Sequence, residues 1–310
     1  MSRTVPSLTP TRSSRTAGSG AQTRSQPPDH RVWLYALPVC AVFLFVFVGP
    51  LLYTAWVALH ETTYFTVGEF SGVTAFVEMF SDADLPGAIG TTVVFSLGAL
   101  AVALPTGLLS AIVLNSLHRL KRTARGLLLL PWLMSQATVG TIWLWFLNPN
   151  FGPATVITEA LGFGPTNVFS TPTSALIAVI LITAWWSYPQ AMLLFLGALQ
   201  TIPVELKESL TVDGGGVWRG FISITLPYLR NSIVSVVIVL LMLYAQMVTI
   251  ILVTTRGGPI GATETLSMRV FNQTFEEYNM SGAAATAILL FVVNVALTLV
   301  AIRFRRKDTL

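Results

Sequence analysis

Six long apolar runs constrain the fold of this chain more than any other feature. They lie near residues 32–59, 89–114, 126–147, 173–199, 232–254 and 281–302, and none contains Asp, Glu, Lys or Arg. A hydrocarbon core about 30 Å thick requires about 20 apolar residues in a helix, and in lipid only helices or closed barrels satisfy every backbone group. Because the runs lack the two-residue alternation of strands, they predict an all-α transmembrane bundle of six helices.

The basic residues predict how this bundle is oriented. All but two of the 18 Lys and Arg residues fall on one side of a six-span arrangement, and the exceptions are Arg256 and Arg269. Cytoplasmic loops are enriched in such residues, so the distribution predicts a multi-pass membrane protein with both termini cytoplasmic. The net charge of +4 then follows from topology, which argues against nucleic-acid binding and leaves membrane lipid as the surrounding partner.

The ends and the rare residue types indicate how the chain is organised. Residues 1–30 are rich in Ser, Thr, Arg, Pro and Gly, a composition that predicts a disordered cytoplasmic tail. Residues 31–310 form the predicted transmembrane domain. The single cysteine, Cys40, lies in an apolar run and the three histidines are far apart, so neither an internal disulfide nor a metal site is expected.

The second apolar run carries small residues four positions apart, at Ala99, Ala103, Gly107 and Ala111. This spacing allows two helix backbones to approach closely in lipid. The pattern alone leaves open whether the neighbouring helix belongs to the same chain or to another subunit.

Residues 200–230, which we call the polar segment, separate the fourth and fifth runs. Pro203 suits the first position of a helix, and the glycines at 214–216 permit a sharp turn. Asp213 is expected to cap a second helix, which Leu226-Pro227 is expected to end.

The second predicted helix of the polar segment carries Trp218 and Phe221 in otherwise polar surroundings. Exposed apolar groups tend to mark contact sites, so we interpret the segment as a docking element for a soluble partner. The alternative is a solvated loop that merely joins two spans.

The polar segment resembles the EAA loop of binding-protein-dependent ABC transporter permeases of the carbohydrate-uptake, MalF-like family. The matching residues are Gly197-Ala198-Leu199-Gln200-Thr201-Ile202-Pro203-Val204-Glu205-Leu206-Lys207-Glu208, Asp213-Gly214-Gly215 and Ile224-Thr225-Leu226-Pro227. The resemblance runs from about residue 31 to 306 and includes Leu130-Pro131-Trp132, Gly257-Gly258-Pro259 and Ala262-Thr263-Glu264-Thr265. The chain departs from the family at Ser209, Leu210 and Gly215, where members carry alanine. The bulkier Leu210 is predicted to fit a matching groove on a partner ATPase.

The resemblance implies a type I ABC importer permease of a bacterial inner membrane, with its family core at about residues 87–303. The implied partners are a second, MalG-like permease subunit, an ABC ATPase dimer and an extracytoplasmic sugar-binding protein. ATP and Mg²⁺ would be used by the ATPase, since this chain has no Gly-x-x-x-x-Gly-Lys-Ser/Thr phosphate loop. We therefore expect a transport subunit with no cofactor of its own, not an enzyme. The implied ATPase-coupling residues are Glu205, Glu208, Ser209, Leu210, Asp213, Gly214 and Trp218.

The charge-free runs also bear on the substrate. Ion-coupled carriers usually keep ionisable groups at mid-membrane, whereas neutral donors, acceptors and aromatic rings suit a neutral polyhydroxylated ligand. The resemblance implies a disaccharide or short oligosaccharide, such as trehalose or maltodextrin. The implied substrate contacts are Trp186, Ser187, Gln190, Tyr244, Gln246 and Met247. The competing interpretation is that these polar groups only join helices.

Three other functions remain open at this point. An ABC permease of this type could carry glycerol-phosphate or another small solute. A secondary carrier is disfavoured by the charge-free runs and by the lack of a visible repeat between the two halves. A membrane-anchored sensor or scaffold could use the same polar segment to bind a soluble protein.

Overall fold

The computed structural model describes residues 31–117, 120–162 and 167–307, and this part of the chain is mainly helical. The predicted tail at 1–30 lies outside the described residues. The elements are, in chain order, α1 (Arg31–Phe43), a π-helical turn (Leu44–Val48), α2 (Gly49–Val57), β1 (His60–Thr63), β2 (Thr66–Phe70), α3 (Thr74–Ser81), α4 (Leu85–Ser116), α5 (Lys121–Leu133), α6 (Gln136–Phe146), α7 (Pro153–Ala160), α8 (Pro172–Leu199), α9 (Val204–Val212), α10 (Val217–Gly220), a second π-helical turn (Phe221–Thr225), α11 (Leu226–Ala245), α12 (Thr249–Thr254), α13 (Leu266–Phe275) and α14 (Met280–Lys307).

Among the described residues, five helical segments are long and apolar enough to cross a membrane. They are Leu37–Val57, Leu85–Ser116, Pro172–Leu199, Val217–Ala245 and Met280–Val300. A sixth is formed by α5 and α6 if the two helices are counted as one bent span. The all-α transmembrane class predicted from the apolar runs is therefore confirmed.

The third span is not the single run that the sequence predicted over 126–147. Helices α5 and α6 meet at 91°, with Pro131 in the last turn of α5. Ser135 then begins α6, because its hydroxyl oxygen accepts the Thr138 N–H at 3.2 Å. A proline that cannot donate near a helix end, followed by a good N-cap, ends one helix and starts another in a new direction.

The fifth span is also displaced from the predicted 232–254. One continuous helix runs over Val217–Ala245, so the prediction that Leu226-Pro227 ends a helix is wrong. In the π-helical turn the Leu226 N–H donates to the Phe221 carbonyl, and Pro227 follows directly. The wider turn accommodates a residue that has no N–H of its own. Beyond Ala245, residues 246–248 are not helical and α12 begins at Thr249.

Helices α4 and α8 form the centre of the bundle. The small residues Ala99, Ala103, Gly107 and Ala111 of α4 are all buried. A Cβ added at Gly107 would lie 2.6 Å from the Ala191 Cβ and 2.9 Å from the Tyr188 carbonyl oxygen, so the two backbones are nearly in contact. The small-residue stripe is therefore a packing surface within the chain, which settles the question that the sequence left open.

Short elements cover one end of the bundle. Strands β1 and β2 form an antiparallel hairpin, and the Ser281 N–H at the start of α14 donates to the Thr62 hydroxyl at 3.0 Å. An ion pair between Arg269 of α13 and Asp82 ties α13 to the residue that follows α3. The predicted turn at residues 256–259 is present, with positive φ at Arg256 and at Gly257.

Candidate functional site

The polar segment folds as two short helices joined by a glycine turn. Pro203 directly precedes α9. Glu205, Glu208 and Ser209 are exposed on this helix, whereas Leu206 is half-buried. The two-helix arrangement that the sequence predicted is therefore confirmed, although the second helix continues into the fifth span.

The turn between these helices depends on Gly214, which has a φ of +68°. The Gly215 N–H donates to the Leu210 carbonyl at 2.8 Å and closes the turn. Asp213 is exposed and does not cap the second helix, because the N-cap is Gly216 and no side chain bonds to that end. The predicted cap is wrong because the turn is longer than expected and places Asp213 four residues before Val217, the first residue of the helix.

Leu210 packs inside the polar segment. A Cβ added at Gly215 would lie 2.5 Å from the Leu210 Cδ1, and one added at Gly220 would lie 2.9 Å from its Cδ2. The leucine therefore occupies the space that two absent side chains leave, and it holds α9 against α10.

An exposed apolar face lies beside this contact. Val212 is 87% exposed, Val217 is 91% exposed and Trp218 is 77% exposed. The Trp218 ring contacts the Phe221 ring edge-on at 6.3 Å, which limits its freedom. The sequence pointed to Val217 and Trp218 as apolar residues of the second helix, but it missed Val212, since a valine at a helix end gives no signal of its own.

Two of the predicted substrate contacts bond to each other. The hydroxyls of Ser187 in α8 and Tyr244 in α11 are 2.7 Å apart, and both residues are fully buried. The Ser187 hydroxyl also lies 2.7 Å from the Thr183 carbonyl, to which it donates. This pair joins two spanning helices.

The other four predicted contacts lie in different surroundings. Trp186 is buried and its indole N–H donates to the Met134 carbonyl at 3.1 Å, next to the bend between α5 and α6. Met247 is buried. Gln190 is half-buried, and its Oε1 has no hydrogen-bond partner within the described part of the chain. Gln246 is exposed at the break after α11.

A half-buried carboxylate near α13, that of Glu264, was not anticipated from the sequence. The Asn272 amide donates to the Glu264 carboxylate at 3.1 Å. Burial raises the pKa of Glu264, the Asn272 bond opposes that shift, and the nearby Glu277, Asp84 and Glu276 raise it further. Neither the apolar runs nor the spacing of charges could have shown which of the acidic loop residues is covered.

A long match to a protein family gives the class of this chain. The model of the family described as "Binding-protein-dependent transport system inner membrane component" matches residues 103–307. The chain belongs to this family, as its resemblance to the carbohydrate ABC permeases predicted. It is a multi-pass permease subunit of a transport system that depends on a binding protein, and its role is transport, not catalysis.

Individual relatives are similar over almost their whole length. The chain is 31% identical over 281 residues to the trehalose/maltose transport system permease protein MalF of Thermococcus litoralis, covering 88% of this chain and 94% of that protein. It is 28% identical to the sn-glycerol-3-phosphate transport system permease protein UgpA of Yersinia pestis, covering 88% and 92%. It is 32% identical to the sulfoquinovosyl glycerol transport system permease protein SmoG of Agrobacterium fabrum, covering 84% and 85%.

A solved structure shares the fold. A chain of a bacterial ABC transporter involved in the import of the acidic polysaccharide alginate superposes with a TM-score of 0.78. The match covers 90% of this chain and 97% of the other, at 21% sequence identity. The predicted importer-permease bundle is thus confirmed at the level of the fold.

Proposed function

We propose that this chain forms half of the translocation pore of an ATP-driven importer for a neutral sugar. A second, MalG-like permease subunit supplies the other half. The family membership and the similarity to a trehalose/maltose permease support this function. The central helix Pro172–Leu199 and its neighbour Leu85–Ser116 contain no charged residue, which suits a disaccharide or short oligosaccharide better than an ion.

The exposed apolar face of Val212, Val217 and Trp218 is the observation that carries the coupling mechanism. Such a face next to long spans requires a soluble partner, and an ABC ATPase dimer, which uses ATP and Mg²⁺, fits that requirement. The exposed residues Glu205, Glu208, Ser209, Asp213 and Gly214 surround the face and complete the docking surface. Leu210 acts from within, because it fixes the angle between the two helices of the segment.

The continuous helix from Val217 to Ala245 gives this docking surface a direct mechanical path into the membrane. A displacement of Trp218 by the ATPase moves the start of a helix that reaches Tyr244 and, through it, Ser187 of the central helix. A continuous helix of 29 residues transmits such a displacement without a hinge loop.

The orientation follows from the positive-inside rule. Both termini and the polar segment lie in the cytoplasm of a bacterial cell, and the binding protein delivers the sugar at the opposite face of the inner membrane. Gln190 and Gln246 are the proposed substrate contacts with uncommitted polar groups. Trp186, Ser187, Tyr244 and Met247 shape the wall behind them.

Uptake by the reconstituted transporter tests this proposal. Proteoliposomes that contain this chain, its partner permease, the ATPase and the binding protein should accumulate radiolabelled trehalose or maltose only when ATP is present. Accumulation of sn-glycerol-3-phosphate instead would favour the alternative that the likeness to UgpA supports. Uptake that persists without the ATPase would show a secondary carrier.

The orientation has its own test. In a Cys40→Ser background, Trp218→Cys should resist a membrane-impermeant thiol reagent added to intact cells and react once the membrane is opened. Labelling of intact cells would place the polar segment on the wrong side and contradict the docking proposal.

A further inference from the structure

A cavity of about 340 Å³ lies between the break after α11, helix α13 and helix α14. Its polar lining comes from three elements: Gln246 at the break, Ser267 in α13 and Asn294 in α14. Phe291 supplies an apolar wall. Ligand sites in proteins typically range from about 300 to 1,000 Å³ and combine apolar walls with a few placed polar groups.

Asn294 is the residue that makes this cavity unusual. It is only 8% exposed, and it lies about 20 Å along α14 from Met280, well within a spanning helix. Its Nδ2 donates to the Leu290 carbonyl at 2.9 Å, but its Oδ1 has no hydrogen-bond partner among the residues that the structure describes. A buried acceptor without a donor is costly, so this oxygen requires a donor from outside the chain.

The break in the fifth span is a built feature and not a frayed helix end. The Ser267 hydroxyl donates to the Ala245 carbonyl at 2.7 Å, which satisfies the last acceptor of α11. The Met247 N–H donates to the Tyr244 carbonyl at 3.1 Å. Non-helical backbone at membrane depth is tolerated only where protein or a water-filled cavity surrounds it, and at this break Gln246 lines the cavity.

We propose that this cavity is a hydroxyl-binding site for the transported solute, with Asn294 and Gln246 as its two hydrogen-bonding residues. The Asn294 Oδ1 accepts a hydrogen bond from a sugar hydroxyl, and the Gln246 amide can donate a hydrogen bond to a second hydroxyl or accept one from it. Ser267 acts as a positioning residue because it fixes the carbonyl that precedes Gln246. The site rests on the proposed sugar transport and extends it to α13 and α14, which the sequence did not implicate.

Uptake kinetics in proteoliposomes that contain the whole transporter test this site. Asn294→Ala and Gln246→Ala should each raise the KM for the sugar that the wild type transports, trehalose or maltose, by about fivefold, since each removes one neutral hydrogen bond. Thr298→Val is the matched control. It removes a hydroxyl one turn further along α14 that bonds within the helix to the Asn294 carbonyl, and its KM should stay within about twofold of the wild type.

Two measurements, the KM values and the protection of a cysteine from labelling, distinguish direct sugar binding in this cavity from a purely structural role of its residues. Gln246→Cys, in the Cys40→Ser background, should react with a small water-soluble thiol reagent in purified transporter, and trehalose or maltose should slow the reaction. Equal KM values for Asn294→Ala, Gln246→Ala and Thr298→Val, or labelling that the transported sugar does not slow, would overturn the proposal. A wild-type transporter that moves no sugar would instead refute the proposed function before any variant is compared.

Discussion

Helix α8 and the polar segment place apolar side chains in opposite surroundings. In α8, Val179, Ile182 and Phe195 are buried against neighbouring helices, and close backbone contact with α4 leaves no room for extra atoms. In the polar segment, Val217 and Trp218 project almost freely. Both stretches contain similar residue types, so the difference teaches that apolar side chains have two roles in this subunit. Those of α8 stabilise the fold, and those of the polar segment are available to contact a partner protein.

The largest effect on stability should come from disrupting the packing between α4 and α8. Gly107→Leu places a side chain against the α8 backbone and should destabilise the chain by about 3 kcal/mol, at the upper end for an overpacked core. Gly90→Leu is the control. Gly90 lies in the same helix, and a Cβ added there would meet nothing within 4 Å. Thermal unfolding of the detergent-solubilised protein measures both. Similar losses for the two variants would contradict the packing described for α4 and α8.

Removing an exposed apolar side chain from the polar segment should leave the stability of the subunit unchanged and weaken its association with the ATPase. Trp218→Ala should weaken association with the ATPase about 30-fold, the effect of losing roughly 2 kcal/mol at an interface hot spot, while thermal unfolding stays unchanged. Trp145→Ala removes a comparably exposed tryptophan, at 55%, from α6 and should have no effect on association. Copurification of the ATPase at wild-type levels with Trp218→Ala would rule out this docking face.

The contact between Leu210 and Gly215 allows a sharper test within the polar segment. Gly215→Ala should lower ATP-driven uptake about fivefold, because its Cβ collides with Leu210. Leu210→Ala in the same chain should restore most of the activity. Gly216→Ala, whose Cβ would meet nothing within 4 Å, serves as the control. If the double variant is no better than Gly215→Ala, the fit of leucine to glycine does not set the angle of the segment.

A variant at Tyr244 tests whether the hydrogen bond between Ser187 and Tyr244 stabilises the packed helices or whether the Tyr244 hydroxyl contacts the substrate. Tyr244→Phe removes the hydroxyl that contacts Ser187 and should cost about 1 kcal/mol of stability, while the KM for the sugar stays unchanged. Gln190→Ala, which removes an uncommitted amide, should show the reverse pattern. A raised KM in Tyr244→Phe would show instead that the Tyr244 hydroxyl contacts the substrate.

The smallest expected effect concerns the half-buried carboxylate of Glu264. Because its pKa is raised in the folded state, the folded chain binds the Glu264 proton more tightly than the unfolded chain does. The ionised group therefore disfavours folding above the raised pKa, and this penalty fades as the pH falls below it. Glu264→Gln should therefore raise the unfolding temperature slightly at neutral pH and flatten its dependence on pH in the acidic range. Glu69 is exposed, so Glu69→Gln should leave the pH dependence of the unfolding temperature unchanged. If Glu69→Gln changes it as much as Glu264→Gln does, the effect comes from the loss of one negative charge and not from the burial of Glu264.

Local signals were enough to predict several parts of this molecule. The apolar runs gave the spanning class, Gly214 gave the turn, and Trp218 marked the exposed face. The predicted third and fifth spans failed at Ser135 and at Ala245, because apolar composition continues through both breaks. Periodicity reports how long a helix could be, but not where a cap or a contact from another helix ends it.

The sequence by itself determined that the chain lives in a membrane, since a bilayer fixes the length and polarity of any segment that crosses it. It also determined the family, through a long and specific motif in the polar segment. Only the tertiary structure decided that the small-residue stripe of α4 meets α8, that Leu210 fits against Gly215, and that Ser187 bonds to Tyr244. Each of those outcomes depends on side chains that come into contact only when separate elements pack together, and no local pattern encodes such a meeting.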